Sequence, residues 1–254
     1  MEIPAANFLT IPGYPNFGSA TFTSIRQVYG AELNALWSVR EGNGQSWQLL
    51  GGYRYLNLNE ELALATSQRD DVFFFPGQFV NTIDQFQTRN DFHGGQLGIR
   101  GQWTSGAWFF GSTLKLALGS THEVVDIRGA TTTNSGPFLI SEIPVTTVPG
   151  GIYTQPTNIG TYQRDRFALL PEVSLRLGVQ ITSHVRIFTG YDFLYLSNVV
   201  RPGNQMDSAI NPFQLVSFTG LPRPPLLGDP RPEPRFQTTD FWAQGLMLGA
   251  EIVW

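Results

Sequence analysis

Nine charged side chains recur on the polar side of segments whose other side is apolar. They are Glu32, Arg54, Arg100, Lys115, Glu172, Arg176, Arg186, Asp192 and Glu251, and glycines are interspersed among them. Five bases and four acids nearly cancel. Because an unpaired charge in a low-dielectric interior is costly, the pattern favours a ladder of salt bridges that fills a narrow barrel. The alternative is a polar channel in which these charges set ion preference.

Residues that usually carry covalent or metal chemistry are sparse and scattered. The chain has no cysteine, and its three histidines, His93, His122 and His184, lie on different segments. The stretch THEVVD lacks the second histidine of a zinc-binding helix, and the sequence contains no G-x-S-x-G, P-loop or dinucleotide glycine motif. Asp70 and Asp71 are more typical of a solvated turn than of a calcium site. We therefore expect no catalytic, metal or cofactor-binding residue and no enzymatic activity.

The charged positions belong to segments with a period of two, the pattern of β-strands with one apolar and one polar face. Few charged residues (14 %), many aromatic residues (13 %) and 27 glycines also favour strands over helices. The sequence therefore predicts an all-β fold. The seven segments lie at about 27–39, 46–58, 93–103, 108–123, 166–180, 185–195 and 241–254.

The connections between these segments alternate in length. Short turns are predicted near 41–45, 104–106 and 181–183. Long loops are predicted at about 59–88, 124–162 and 198–239, the last of which is rich in proline. Short turns at one end and long loops at the other are typical of an up-and-down antiparallel outer-membrane barrel. We interpret residues 1–254 as one such barrel domain.

Strand parity makes a specific prediction about the N-terminus. If the long loops face outward, the last strand runs inward, and so does the first of the seven. Residues 1–25 would then be an outer-side loop or a partial strand. Because barrels of this class usually have an even strand count, we expect an odd number of N-terminal strands to be missing, unless residues 1–25 supply an eighth. The opening MEIPAANFLTIPGYPNF has no pattern of a signal peptide.

Aromatic residues gather towards the strand ends on the apolar face. Tryptophan and tyrosine prefer a membrane interface, where the ring is in an apolar region and the polar group stays wet. The predicted interfacial residues are Trp37, Trp47, Tyr53, Tyr55, Trp103, Trp108, Tyr195 and Trp242. The apolar stretch 72–86, VFFFPGQFVNTIDQF, is too hydrophobic for a free loop. We interpret it as extended strand or loop packing, and the alternative is that Phe73 to Phe75 form a plug or a partner surface.

Several long stretches resemble the "putative β-barrel porin" family of planctomycete outer membranes, in order and spacing. They are LLGGYRYLNLNEELAL, FHGGQLGIRGQW, LKLALGSTHEVVDIRG, LLPEVSLRLGVQITSHVRIFTGYDFLYLSNVVRPGNQMD and DFWAQGLMLGAEIVW. The resemblance runs from about residue 7 to the end. It implies an outer-membrane barrel that the barrel assembly machinery inserts. Family members usually begin with a signal peptide and further strands rich in aromatic residues.

The ending GAEIVW resembles the assembly signal of outer-membrane barrels. Gly249, Ile252 and Trp254 occupy the key places of the G-x-x-apolar-x-aromatic pattern. We expect Trp254 to lie at the membrane–water interface on the inner side of the outer membrane, where the last strand pairs with the first.

Three functions are compatible with this fold. The leading hypothesis is a porin-like or structural outer-membrane protein, with passive diffusion of small polar solutes as its candidate activity. The alternative is a surface binding protein or adhesin with a plugged lumen, which acts through the long loops. A third is a soluble barrel that encloses a small ligand. The expected partners are outer-membrane lipid and the assembly machinery, and not nucleic acid, because the net charge is −4 with no basic patch.

Overall fold

The computed structural model describes residues 16–70, 77–136, 142–215 and 227–252. These residues form eight strands, one short α-helix and one 3₁₀ turn, so the all-β prediction is confirmed. No helix within these ranges is long and apolar enough to cross a membrane. The strands are β1 (Asn16–Gly42), β2 (Gln45–Asp70), β3 (Gln78–Ser105), β4 (Trp108–Ser135), β5 (Glu142–Pro149), β6 (Gly160–Gln180), β7 (Val185–Val200) and β8 (Thr238–Ile252). The α-helix is α1 (Pro202–Gln205), and the 3₁₀ turn spans Pro212–Gln214.

The strands form one antiparallel, up-and-down sheet that curls into a half-barrel. Its order is β1-β2-β3-β4-β6-β7-β8, and β5 pairs only with the far end of β4. Tight turns join β1 to β2, β3 to β4 and β6 to β7 at one end, here called the inner end. The other, outer end carries the longer connections. In outer-membrane barrels the short turns face the periplasm.

The first four strands are much longer than a membrane crossing requires. They contain 27, 26, 28 and 28 residues. At a rise of roughly 3.3 Å per residue, 28 residues span about 90 Å, whereas a bilayer core is about 30 Å thick. The predicted loop boundaries are therefore wrong, since much of 59–88 and 124–162 is strand, and 198–239 includes the ends of β7 and β8.

The outer halves of the long strands were not predicted as strand, because they are polar on the convex face. There β2 presents Asn59 and Glu61, and β3 presents Gln87 and Arg89. Without an apolar stripe, the alternation that marks a strand disappears. In the stretch 72–86, residues from Gln78 onward belong to β3, as the strand interpretation predicted. Phe73, Phe74 and Phe75 lie outside the described residues.

The two faces of the sheet differ in the way that the sequence pattern predicted. On the convex face, Leu33, Leu97 and Leu248 are 78 %, 73 % and 87 % exposed. On the concave face, Phe92 and Leu58 are completely buried. An apolar outside and a packed inside suit a wall that has lipid around it.

Glycines on the concave face allow neighbouring strands to approach closely. A Cβ atom at Gly52 would lie 1.9 Å from the Leu33 carbonyl oxygen, and one at Gly119 would lie 2.0 Å from the His93 carbonyl oxygen. Both distances are impossible for a real side chain. At these two positions only glycine leaves room for the backbone of the neighbouring strand.

The predicted pairing of the last strand with the first is wrong. Among the described residues, β8 pairs only with β7, and β1 pairs only with β2. The sheet has seven strands in order from β1 at one edge to β8 at the other, and each is antiparallel to the next, so β1 and β8 run in the same direction. A direct pairing would be parallel, whereas every other pairing in this sheet is antiparallel. Residues 16–25 continue the first predicted strand outward as part of β1, and residues 1–15 lie outside the described residues.

Candidate functional site

Four charged side chains form a closed ring on the concave face, here called the charge ring. It consists of Glu32, Arg54, Lys115 and Glu172. Arg54 Nη1 lies 3.2 Å from Glu32 Oε2, and Arg54 Nη2 lies 2.9 Å from Glu172 Oε2. Lys115 Nζ lies 2.9 Å from Glu32 Oε2 and 2.6 Å from Glu172 Oε1. Each base contacts both acids, so the ring is neutral and each charge is paired.

Strand register explains why these four residues meet. Glu32 is directly opposite Arg54, and Lys115 is directly opposite Glu172. The two pairs are separated by β3, which presents glycine next to each base: Gly94 opposite Arg54 and Gly98 opposite Lys115. Because these positions have no side chain, Arg54 and Lys115 reach across β3 to the opposite acids. Gln96, between the two glycines, donates to Glu32 Oε2 at 2.9 Å.

The other five residues of the predicted ladder do not join this ring. Arg100, Arg176, Arg186, Asp192 and Glu251 lie on the concave face towards the inner end. None of them forms an ion pair within the described ranges of the chain. The structure therefore has a local ring in place of a continuous ladder.

An apolar layer lies directly outward of the charge ring. Its side chains come from six strands, and each is 3 % exposed or less. They belong to one cluster, in which side chains from opposite sides of the half-barrel pack together. This layer is composed of Leu56, Leu58, Phe92, Ala117, Ala168, Leu170, Leu196, Val199 and Phe241.

Two connecting segments fold onto the concave face outward of the apolar layer, and we call them the plug segments. They comprise 150–159, and 201–215 with 227–237. Asp84 of β3 anchors the first. Its carboxyl oxygens accept hydrogen bonds from the backbone N–H groups of Ile152, Tyr153 and Thr154 at 2.8–3.0 Å and from the Thr154 hydroxyl at 2.7 Å. Burial raises the pKa of the Asp84 carboxyl, although these hydrogen bonds act in the opposite direction.

Two polar residues, Asn90 and Glu60, hold the start of the second plug segment, where it follows Val200 at the end of β7. Asn90 of β3 both donates to the Val200 carbonyl oxygen and accepts from its N–H, at 2.8 Å each. Glu60 of β2 pairs with Arg201 at 2.8 Å.

Asp207 lies within the second plug segment and closes it on itself. It pairs with Arg231 at 3.0 Å and with Arg235 at 2.9 Å. Burial acts to raise the pKa of the Asp207 carboxyl, but the N–H groups of Glu233 and Ala209 and the two guanidinium groups outweigh it, so that this pKa is lowered.

Sequence reasoning missed Glu60, Asp84 and Asp207 because they fall in the predicted loops 59–88 and 198–239, and it missed Asn90 because that residue lies between a predicted loop and a predicted strand. A signal was present in 78–92. There the concave positions alternate polar and apolar types with few charges, as in Val80, Asp84, Phe86 and Asn90. Such a mixture suits an interior that holds a loop, not one that holds water.

All eight predicted interfacial aromatics lie on the convex face, in two groups. Trp37, Trp47, Trp103 and Trp108 are near the inner end, and Tyr53, Tyr55, Tyr195 and Trp242 are further outward. The rings of Trp47 and Trp103 pack edge to face, with their centroids 4.8 Å apart. The stretch of apolar convex surface between the two groups is the candidate lipid band.

The predicted assembly signal is only partly within the described residues. Gly249 and Ile252 belong to β8, with Ile252 on the convex face and 68 % exposed. Trp254 lies outside the described residues. Separately, the described ranges contain no group of three or more histidine and acidic side chains that could hold a metal ion.

Comparison with known proteins identifies one family. The family model described as putative beta barrel porin-7 (BBP7) matches residues 3–254. Neither the curated proteins nor the solved structures include a match to this chain.

Proposed function

We propose that the barrel of this protein is closed to free diffusion. The premise is that the chain belongs to the putative beta barrel porin-7 family and is a porin-like outer-membrane protein. In this proposal the protein is a closed outer-membrane barrel that presents the outer extensions of its long strands at the cell surface. Passive transport of solutes is then not its main activity.

The filled concave face is the single observation that carries this proposal. The neutral charge ring, the apolar layer and the plug segments follow one another from the inner to the outer end. Narrow barrels of about eight strands characteristically have interiors just wide enough for side chains to fill. Contacts such as Arg54–Glu172, which join strands three places apart in the sheet, span the concave face with side chains and leave little free space there.

The polar extensions support a role at the outer surface. The outer halves of β1 to β4 and the hairpin that β5 forms with β4 extend beyond the candidate lipid band. On their concave face, contacts with the plug segments and the end of β7 hold these extensions in place, as the hydrogen bonds of Asp84 and Asn90 illustrate. Binding residues are often carried on segments that a rigid scaffold holds in place. A surface binding protein or adhesin is therefore favoured over an open porin.

Osmotic swelling of proteoliposomes tests this proposal. The folded protein is reconstituted into liposomes that contain dextran, and the liposomes are diluted into isotonic arabinose. We expect the same slow swelling as in protein-free liposomes, while a general porin in parallel samples swells them rapidly. Swelling that increases with the amount of this protein and decreases with solute size would establish an open pore and overturn the proposal.

We also propose that the last residues direct insertion by the assembly machinery. Replacing both Ile252 and Trp254 with alanine is expected to abolish assembly-dependent insertion, because it removes the apolar and aromatic places of the signal. The matched control replaces Leu246 and Leu248, which lie on the same face of β8. Heat-modifiable gel mobility of membrane fractions reports insertion. If both double variants insert equally, the terminal residues do not form the signal.

A further inference from the structure

A cavity lies at the inner end of the concave face, inward of the charge ring. Its volume is about 250 Å³. Three arginines line it, Arg100 from β3, Arg176 from β6 and Arg186 from β7, together with one acid, Glu251 of β8. These four groups carry an excess of two positive charges, which falls to one when Asp192 is counted, in the adjoining pocket that Arg100 and Arg176 also line.

The arginines form no ion pair with the neighbouring acids. Within the described residues, the side chains of Arg100 and Arg176 form no hydrogen bond or ion pair, and the side chain of Arg186 donates only to the Gln180 side chain, at 3.3 Å. Glu251 is directly opposite Arg186 in the sheet but forms no ion pair with it. The two acids of the charge ring are already occupied by Arg54 and Lys115.

Aromatic rings and a glycine shape the cavity around these cations. The guanidinium of Arg176 lies 5.5 Å from the Phe188 ring centroid, and that of Arg186 lies 5.5 Å from the Phe109 ring centroid. Such contacts restrict the orientation of a guanidinium group while leaving its N–H donors free. On β4, Gly111 lies opposite Arg176, and a Cβ atom there would meet only Arg176 Cβ, at 3.8 Å. Open space therefore lies beside the arginines.

We propose that this cavity binds a phosphate group that reaches it from the inner side of the membrane. Several guanidinium donors around a small space match the oxygens of phosphate, which arginine recognises through paired hydrogen bonds. This inference goes beyond the proposed function and does not depend on it, because a phosphate site at the inner mouth is compatible with a closed or an open lumen.

Isothermal titration of inorganic phosphate into the folded full chain, in phosphate-free detergent buffer, tests the site. We expect saturable binding that weakens as salt is added. Replacing Arg100 and Arg176 together with glutamine should weaken it by about tenfold or more, since charge-assisted hydrogen bonds are lost. The matched control replaces Arg89 and Arg128, which lie on the convex face, with glutamine and should change binding less than about twofold.

A second variant probes the space without altering the charge. Gly111→Val fills the opening beside Arg176 and is expected to weaken phosphate binding while the protein retains its folded gel mobility. Glycerol 3-phosphate and acetate are titrated in parallel. Binding of the monoester at least as tight as that of phosphate would mean that the site takes phosphate carried on a larger molecule, and weaker binding would point to the free anion.

Three results would contradict the proposal that this cavity binds phosphate. They are the absence of saturable binding to the folded protein, equal losses in the Arg100/Arg176 and Arg89/Arg128 variants, and acetate binding as tight as that of phosphate. None of them bears on osmotic swelling, so failure of this inference is distinguishable from failure of the proposed function.

Discussion

Replacing Leu175 with arginine is expected to destabilise the folded protein by about 2 to 4 kcal/mol, the range for an arginine on the lipid face at the bilayer midplane. Leu175 lies on the convex face of β6, between Ser112 of β4 and Tyr191 of β7. It lies inside the apolar stretch from Phe167 to Val179, eight residues from the outer limit and four from the inner one. A charge there would have to leave water for hydrocarbon. Equilibrium unfolding by guanidinium in lipid vesicles measures the loss.

The matched control is Gln163→Arg, on the same strand and the same face. Gln163 lies outward of the apolar stretch, opposite Val124 of β4, and is exposed. There an arginine stays in water, so the expected change is within about 1 kcal/mol. Equal effects of the two substitutions would contradict the position of the lipid band. A negligible effect at Leu175 would reverse the assignment of the strand faces.

Replacing Asp84 with alanine is expected to release the first plug segment and to destabilise the protein by about 3 kcal/mol. The substitution leaves three backbone N–H groups and one hydroxyl without their acceptor, and a buried donor without a partner costs about 1 to 3 kcal/mol. Hydrogen exchange should accelerate first at residues 151–155. Urea unfolding of the same variant gives the global effect.

Asp165→Ala is the control for loss of a carboxylate. Asp165 lies on the convex face of β6 and contacts only His122, at 2.8 Å, with its side chain 71 % exposed. An exposed pair of this kind contributes about 0 to 1 kcal/mol. If Asp84→Ala also costs less than about 1 kcal/mol and leaves exchange at 151–155 unchanged, then Asp84 does not hold the plug.

The membrane-facing half of this fold could be predicted from the sequence, because a strand that faces lipid on one side has apolar residues with a period of two. A strand between lipid and a packed lumen needs apolar residues at alternate positions, as the series from Phe167 to Val179 has. The short turns and the convex position of tryptophans such as Trp108 follow from the same requirement.

The outer half could not be predicted in this way, because its convex face is polar and its concave face mixes buried polar residues with apolar ones such as Phe86. The outer part of β3 shows Gln87 and Arg89 to the convex side and buries Asp84 and Asn90 on the concave side. Neither face has an apolar stripe. Its strand conformation depends on pairing with β2 and β4 and on the plug segments, which are non-local contacts that a local pattern does not contain.

The candidate site was only partly predictable for a related reason. Alternation identifies which charges face the lumen, but not which of them meet. The charge ring requires Gly94 and Gly98 on the intervening strand to leave room between Arg54 and Glu172. At the inner end, Asp192 and Glu251 also face the concave side, but neither forms an ion pair with Arg100 or Arg176 within the described chain. Whether lumen charges form a ring or a cationic cavity thus depends on register.

Single-channel recording in a planar bilayer tests the closed lumen most directly. The protein is refolded in detergent, its fold is verified by heat-modifiable gel mobility, and insertion is verified by protease protection in the same lipid. The account predicts no steady current steps from the inserted protein at any salt concentration. Stable steps whose conductance rises in proportion to salt would contradict it and would make the protein an open pore.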